Sequence, residues 1–274
     1  MNRQVPEKTY TIVGDGKVAR HFAFYFQQLG VQFNSWTRKN SIPALQQKIA
    51  DADFILLLIS DDAIDYFIKN NSCLRNKILI HFSGTLSLDN AIGCHPLMTF
   101  ANNLYDLNTY QSIPFVCDDG VDFSYLFPRL TNQSFNITKA DKAYYHALCV
   151  MAGNFTQTLM RETSNQLNHE LKLPDTILFP YLLQNTKNFI NNPDNSATGP
   201  IQRNDFTTVR NNLQALQGNP LEEIYKSFFK LANTPFPCKQ ESSQQCPNPN
   251  IKIENFTDSC LRSNDGDFFE EAVQ

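Results

Sequence analysis

Short apolar runs alternate with amphipathic segments over the first half of the chain. The runs that predict strands are 9–13, 31–36, 54–59, 77–81, 92–94, 113–117 and 134–137. The segments that place apolar residues three and four positions apart, and so predict helices, are 17–29, 42–50, 63–69 and 121–130. The continuous apolar run 54–59 is typical of a parallel strand covered on both faces. This alternation predicts an α/β fold with an open, mostly parallel sheet and right-handed crossovers.

The pattern changes near residue 139, where the strand signals stop. Helical periodicity covers 139–171, 174–192, 205–217 and 220–232, and Pro180 is expected to kink the second of these helices. Polar residues and prolines dominate after residue 234. We therefore predict an all-helical domain in residues 139–234, for substrate binding and dimerisation, followed by an acidic, proline-containing tail in residues 235–274.

The first predicted strand ends in a glycine-rich turn. Gly14 and Gly16 are two residues apart, and Ala19 follows three residues later. Between a strand and a helix, this G-x-G-x-x-G/A pattern is typical of dinucleotide binding. Gly14 permits the tight turn, and Gly16 lets the backbone approach a pyrophosphate. The N–H groups at the start of the helix, at Lys17 and Val18, are predicted to face the phosphates.

The end of the second strand indicates which dinucleotide is bound. It carries no carboxylate, which is the group that holds the ribose 2′-hydroxyl in sites that prefer NAD. Thr37 is followed instead by Arg38 and Lys39, and a hydroxyl with two cations suits the 2′-phosphate of NADP. The alternative is that both cations are ordinary surface residues. Residues 1–138 are thus predicted to form a Rossmann domain that binds NADP.

Charge, hydrophobicity and cysteine content exclude several classes of protein. The net charge of −4 argues against a broad nucleic-acid-binding face. The longest apolar run, 54–59, is too short to cross a bilayer, and the N-terminal residues lack the apolar core of a secretory signal. Seven cysteines without metal-ligand spacing predict reduced thiols and no metal site. We expect a cytoplasmic protein that binds a small molecule, and neither nucleic acid nor membranes.

Ligands of open α/β sheets bind beyond the carboxyl ends of the strands. Ile59 ends the predicted third strand, Ser60 and Asp61 follow it, and Ser83 follows the fourth strand. We predict that all four line the coenzyme crevice.

A family resemblance rests on four further segments taken together. They are His81–Thr85, His95–Phe100, Tyr145–Phe155 and Thr198–Asp205. In this order after the glycine turn, they resemble a little-characterised family of Rossmann-like NADP oxidoreductases with a helical C-terminal domain of unknown function. That family is similar to ketopantoate reductase, pyrroline-5-carboxylate reductase and the beta-hydroxyacid dehydrogenases. The resemblance covers about residues 9–232 and implies an NADP-binding fold whose helical domain forms a homodimer; it implies no particular substrate.

The chain departs from the family pattern at three places. Asp15 puts a carboxylate beside the phosphate-binding turn, where it could point away or cap the helix. Asn204 stands where the family commonly has the glycine of Arg-Gly-Asp. The related dehydrogenases carry a lysine and an asparagine on an active-site helix; Asn154 matches the asparagine, but Val150 occupies the place of the lysine.

The resemblance also suggests how a substrate carboxylate is held. Ser83 and Gly84 resemble the Ser-Gly loop of the beta-hydroxyacid dehydrogenases, whose free N–H groups bind a carboxylate. The alternative is a turn that caps the next helix. Arg203 is a candidate clamp for the carboxylate, from the same or a partner subunit. Its alternative is an ion pair with Asp205, a residue that could also cap the following helix.

Three residues are predicted to be catalytic. His95, fixed by the following proline, and His146 are candidate proton donors because a histidine pKa lies near neutrality. Asn154 is eight residues after His146, which puts it on a neighbouring face of a regular helix. The alternatives are a histidine that satisfies a backbone carbonyl and a buried amide that joins two helices.

We therefore expect an NADP-dependent oxidoreductase that transfers a hydride to or from a small acid or imine. The alternative is a non-catalytic NADP-binding sensor or interaction module. The missing lysine and the acidic tail are compatible with that second interpretation.

Overall fold

A seven-stranded sheet forms the centre of the N-terminal half of the protein. The computed structural model describes residues 7–233. The strands are β1 (Tyr10–Val13), β2 (Phe33–Trp36), β3 (Phe54–Leu57), β4 (Ile78–His81), β5 (Ile92–Pro96), β6 (Phe115–Asp118) and β7 (Ser134–Ile137). Their order in the sheet is β2-β1-β3-β4-β5-β6-β7, and every neighbouring pair is parallel except β5 with β6. The predicted α/β class with a mostly parallel sheet is confirmed.

Helices connect these strands and continue after the last of them. They are α1 (Lys17–Leu29), α2 (Ile42–Ile49), α3 (Asp61–Asn70), α4 (Leu107–Ser112), α5 (Phe123–Leu126), α6 (Lys142–Val150) and α7 (Thr156–His169). The apolar spacing did not predict α4, and α5 is shorter than the predicted 121–130. A π-helical turn, Met151–Phe155, separates α6 from α7. The predicted helix over 139–171 is therefore interrupted rather than continuous.

The sheet buries apolar residues on both of its faces. Alternate residues of β3 contribute to opposite cores, because successive side chains of a strand point to opposite sides. Phe54 and Leu56 pack with residues of α1, whereas Ile55 and Leu57 pack with residues of α2 and α3. This three-layer arrangement fixes α1 on one face and places its N-terminus beside the carboxyl end of β1.

The chain divides into two compact units, residues 1–171 and 172–274. Strands give way to helices at 137–142, close to the predicted change at 139, while α6 and α7 pack with the sheet unit. The division into domains at 138 and 234 stays a prediction. The predicted tail, 235–274, lies outside the described residues.

The second unit is helical throughout its described part. It contains α8 (Phe179–Asn191), α9 (Phe206–Ala215) and α10 (Leu221–Asn233), as predicted from the spacing, besides two short 3-10 helices. The expected kink at Pro180 is wrong: the proline lies in the first turn of α8, where its missing N–H costs nothing. Across residues 7–233, no helix is both long enough and apolar enough to cross a membrane.

Candidate functional site

The turn after β1 requires a glycine at its first position. Gly14 has a φ of +135°, and its N–H donates to the carbonyl oxygen of Trp36 over 2.9 Å. A Cβ at this position would collide with the carbonyl group of Leu58. Gly14 therefore holds the start of α1 close to the ends of β2 and β3.

The second glycine of the turn faces open space. Gly16 is the N-cap of α1 in an extended conformation, and a Cβ added there would meet nothing within 4 Å. No side chain caps this helix end, and its first turn contains no acid. The N–H groups at Lys17 and Val18 and the positive end of the helix dipole thus suit an anion. These residues fit a pyrophosphate.

The carboxylate of Asp15 points toward the end of β2. It lies 4.0 Å from the ammonium group of Lys39, with both side chains largely exposed, and it does not cap α1. Beside it, Thr37 accepts a hydrogen bond from the N–H of Lys39 over 3.3 Å, and its own N–H donates to Asn40 over 3.1 Å. These bonds form a tight turn that leaves Arg38 exposed. Arg38 and Lys39 thus place two cations beside the position predicted for the 2′-phosphate, and the carboxylate of Asp15 offsets part of their charge.

Ser83 and Asp61 meet beyond the ends of β4 and β3. The hydroxyl of Ser83 donates to Asp61 Oδ2 over 2.5 Å. Its oxygen accepts hydrogen bonds from the N–H groups of Thr85 and Leu86 over 3.2 and 3.0 Å. No helix follows this turn in residues 82–91, so the alternative of a helix cap is wrong. The turn nevertheless uses two N–H groups that a substrate carboxylate would need. Ile59 is half-buried next to Ser60, the N-cap of α3.

Two of the three predicted catalytic residues come together above Gly84. The rings of His95, on β5, and His146, on α6, have centroids 6.0 Å apart at an angle of 84°. A Cβ at Gly84 would lie 2.5 Å from His146 Cδ2 and 3.2 Å from His95 Nε2. The glycine therefore leaves the room that both imidazoles occupy. Tyr145, which sequence reasoning missed, bonds through its hydroxyl to His95 Nδ1 over 2.9 Å.

A buried ion pair, also missed from the sequence, supports this cluster. Lys142 Nζ lies 2.7 Å from Asp118 Oδ1, and the two side chains are only 4% and 8% exposed. The second oxygen of Asp118 accepts the N–H of Gly93 over 2.7 Å. A Cβ at Gly93 would collide with Lys142 Nζ. A glycine inside a strand is the one sequence signal that could have indicated a close approach of this kind.

His95 and His81 are neutral at pH 7. Burial, followed by the nearby His146 and Lys142, lowers the pKa of His95 to about 4. His81, fully buried at the end of β4, has a pKa lowered to about 4 by burial and by Lys142. Neither ring nitrogen of His81 has a hydrogen-bond partner among the described residues. Burial also raises the pKa of the Tyr145 hydroxyl, which therefore stays protonated.

Asn154 lies in the π-helical turn and is exposed. A π turn contains an extra residue, so it rotates the residues that follow it back relative to a regular α-helix. This brings Asn154 closer to the face of His146 than a regular helix would, where it was predicted to lie on a neighbouring face. The structure gives it no side-chain bond to the histidines.

Arg203 belongs to the second unit and is exposed. The next residue, Asn204, has a φ of +54°, in the left-handed region that asparagine tolerates better than most residues. This explains how asparagine replaces the glycine of the family pattern. Asp205 caps α9 by accepting the N–H of Thr208 over 3.0 Å, which is one of its two alternative roles.

Comparison with known proteins matches the C-terminal part of the chain to one family. Residues 123–231 match the model of a family described as a domain of unknown function, DUF2520. The match spans β7, the helices that carry Tyr145 and His146, and the described helices of the second unit. No protein with a curated description matches the chain.

Solved structures share the fold over most of the chain. A candidate NADP oxidoreductase of Bacteroides fragilis, BF3122, is 18% identical, with a TM-score of 0.65 over 82% of this chain and 98% of the other. The pyrroline carboxylate reductase of Plasmodium falciparum, solved with NADP, is 13% identical, with a TM-score of 0.52 over 82% and 96%. The reductive aminase of Aspergillus terreus, solved with NADPH, is 12% identical, with a TM-score of 0.54 over 82% and 95%. The chain therefore has the fold of Rossmann-like oxidoreductases with a helical C-terminal region, as the resemblance implied.

Proposed function

We propose that this protein is an NADP-dependent oxidoreductase that transfers a hydride to or from a small acid or imine. One observation carries the proposal. An uncapped helix N-terminus suited to phosphates follows β1, and the imidazoles of His95 and His146 meet at Gly84, which follows β4 of the same mostly parallel sheet. Ligands of open α/β sheets bind at this edge.

The coenzyme would be held by residues of four loops, which follow β1, β2, β3 and β4. The turn from Gly14 to Val18 would bind the pyrophosphate, and Thr37 and Arg38 would bind the 2′-phosphate. Ile59, Ser60, Asp61 and Ser83 would border the rest of the molecule. The NADP of the Plasmodium reductase and the NADPH of the Aspergillus aminase, bound in proteins of the same fold, support this assignment.

The reduced nicotinamide supplies the hydride when it is bound. The chain would contribute hydrogen-bonding groups on His95 and His146, which pack against Gly84, to orient the substrate. Asn154 completes this proposed substrate side. We keep Arg203, which belongs to the second unit, as a proposed carboxylate clamp from the same or a partner subunit. Because the lysine of the related dehydrogenases is absent, the polar contact to the substrate falls to the histidines.

We also propose that the protein is a cytoplasmic homodimer. Large apolar side chains of α8 and the preceding residues are more than half exposed in the single chain: Ile177, Phe179, Tyr181, Leu183, Phe189 and Ile190. A second copy of the chain would cover such a surface. Sedimentation equilibrium would test this, and a monomer at micromolar concentration would contradict it.

Calorimetry with NADPH and NADH tests the coenzyme, and oxidation of NADPH with keto acids, ketones and cyclic imines tests the reaction. We expect tighter binding of NADPH and turnover with at least one substrate class. Tighter binding of NADH would defeat the coenzyme assignment. Binding of NADPH without any turnover would favour the non-catalytic sensor or interaction module.

A further inference from the structure

We propose that Tyr145 fixes His95 in the tautomer that carries its proton on Nε2, so that this N–H donates to an uncharged acceptor atom of the substrate. The acceptor would be a carbonyl oxygen or the nitrogen of a neutral imine. The inference rests on the proposed function, because it names the substrate class of the same site. It makes Tyr145 a positioning residue and His95 the group that touches substrate.

The geometry separates the two nitrogens of His95. Nδ1 is bonded to the hydroxyl of Tyr145 over 2.9 Å. Nε2 makes no hydrogen bond to any residue within 7–233, and it faces Gly84, where an added Cβ would lie 3.2 Å away. One nitrogen is thus held by the protein. The other is unbonded and, unlike the ring nitrogens of His81, is not sealed from solvent, so a substrate atom can reach it.

The direction of the bond between Tyr145 and His95 follows from what each group can accept. The hydroxyl of Tyr145 has one proton, and Nδ1 of His95 is the group within hydrogen-bond geometry of it. An imidazole nitrogen without a proton is a good acceptor. The favoured bond therefore runs from the hydroxyl to Nδ1. An accepting Nδ1 carries no proton, so a neutral ring must carry it on Nε2.

The surrounding groups keep this ring uncharged. His146 and Lys142 face it from α6, and Asp61 faces it from α3 with a smaller, opposite influence. The pKa of His95, about 4, makes the ring neutral over the working range of pH. A neutral N–H donor matches a lone pair. It does not match a protonated iminium, whose nitrogen has only a hydrogen or carbon to present.

The step that this arrangement serves is the reduction of a polar double bond. The hydride from reduced nicotinamide forms a C–H bond to the carbonyl carbon, and the π electron pair moves onto oxygen. His95 Nε2–H stabilises the developing negative charge by hydrogen bonding. Water supplies the proton that completes the hydroxyl, and the nicotinamide is left oxidised. A neutral imine would follow the same course with nitrogen in place of oxygen.

Nuclear magnetic resonance of the ¹⁵N-histidine-labelled full chain tests the tautomer without turnover. The chain has only five histidines, and His95→Gln identifies the signals of His95 by their loss. We expect a protonated Nε2 and bare Nδ1 in the wild type, and a mixture in Tyr145→Phe. Tyr144→Phe removes a hydroxyl from a neighbouring, 70% exposed side chain and should leave the tautomer unchanged. A proton on Nδ1, or no response to Tyr145→Phe, overturns the inference.

Kinetics with two classes of probe test the substrate. One class is pyruvate, 2-oxobutanoate and cyclohexanone; the other is N-methyl-1-pyrrolinium, a permanent cation without a lone pair. We expect turnover of the first class, lowered about 100-fold in kcat by His95→Gln and roughly fivefold by Tyr145→Phe, with Tyr144→Phe unchanged. Reduction of the pyrrolinium salt alone overturns the inference and leaves the oxidoreductase standing. No oxidation of NADPH with either class overturns the proposed function, and the inference with it.

Discussion

The coenzyme turn and the histidine cluster lie beyond strands of one sheet, but they are built in opposite ways. The turn is open: no side chain caps α1, and a Cβ at Gly16 would meet nothing within 4 Å. The cluster is closed: Lys142 and Asp118 are 4% and 8% exposed and satisfy one another. The difference teaches where each kind of group finds its partners. The backbone donors at the proposed phosphate site are left for the ligand to bind. The buried charges beside the proposed catalytic histidines are instead paired with each other within the protein.

This contrast predicts different consequences of mutation. A substitution in the open turn should change ligand binding before it changes stability, except where the backbone itself is constrained. A substitution in the closed cluster should change stability first, because a buried charge that loses its partner cannot be solvated.

The two glycines of the turn give the largest expected difference. Gly14→Ala would place a methyl group on the Leu58 carbonyl at a φ of +135°, so we expect a loss of more than about 5 kcal/mol in the free energy of unfolding, or no folding. The methyl group of Gly16→Ala would point into open space. This variant should change the free energy of unfolding by no more than about 0.5 kcal/mol, but it should bind NADPH more weakly. Urea denaturation and calorimetry measure both. Equal stabilities of the two variants would contradict the assignment of the turn.

Breaking the buried ion pair should cost somewhat less. Lys142→Met leaves the carboxylate of Asp118 buried without its cation, so we expect a loss of about 3–5 kcal/mol in unfolding free energy. The surface pair of Lys139 with Asp89 is the matched control, since Asp89 is fully exposed. Lys139→Met should leave the free energy of unfolding almost unchanged. Similar losses in the two variants, measured by urea denaturation, would show that the cluster is not closed.

The open turn could be predicted from the sequence, and the closed cluster could not. A phosphate turn uses consecutive residues, so Gly14, Gly16 and the helix that follows leave a local pattern. Asp118 and Lys142 come from β6 and α6, and their meeting at Gly93 depends on the pairing of β5 with β6. No local spacing encodes such a meeting.

The same distinction explains why only some residues of the proposed substrate site could be predicted from the sequence. His95 and His146 were chosen for their chemistry, and the fold brings them together above Gly84. Tyr145 was passed over because a tyrosine beside a histidine in a helix gives no signal of a bond to a distant strand. Asn154 was placed by regular helical geometry, which the π turn changes.

Lowering the pH should decrease the free energy of unfolding, because buried His81 lies in the region of the closed cluster and resists protonation. The pKa of His81 is about 4 in the folded chain and about 6.5 in the unfolded chain. Between these pH values the unfolded chain binds one more proton than the folded chain, so the free energy of unfolding decreases as the pH is lowered. We expect the contribution of His81 to fall by roughly 2 kcal/mol from pH 7 to pH 5, and to level off below pH 4. His81→Leu should show a correspondingly smaller loss of unfolding free energy over that range. An identical pH dependence in the variant would mean that His81 reaches solvent.

The smallest expected effect concerns the open coenzyme site, at Arg38, and it changes coenzyme binding without changing stability. Arg38 is exposed beside Thr37, so Arg38→Ser should not alter the free energy of unfolding by more than about 0.5 kcal/mol. Loss of the charge-assisted bonds from Arg38 to a 2′-phosphate should weaken the binding of NADPH about tenfold, which corresponds to about 1.4 kcal/mol of binding free energy. NADH, which lacks that phosphate, serves as the internal control and should bind as it does to the wild type. If calorimetry shows both coenzymes weakened equally, Arg38 does not read the 2′-phosphate, and the preference for NADP must come from Lys39 or be absent.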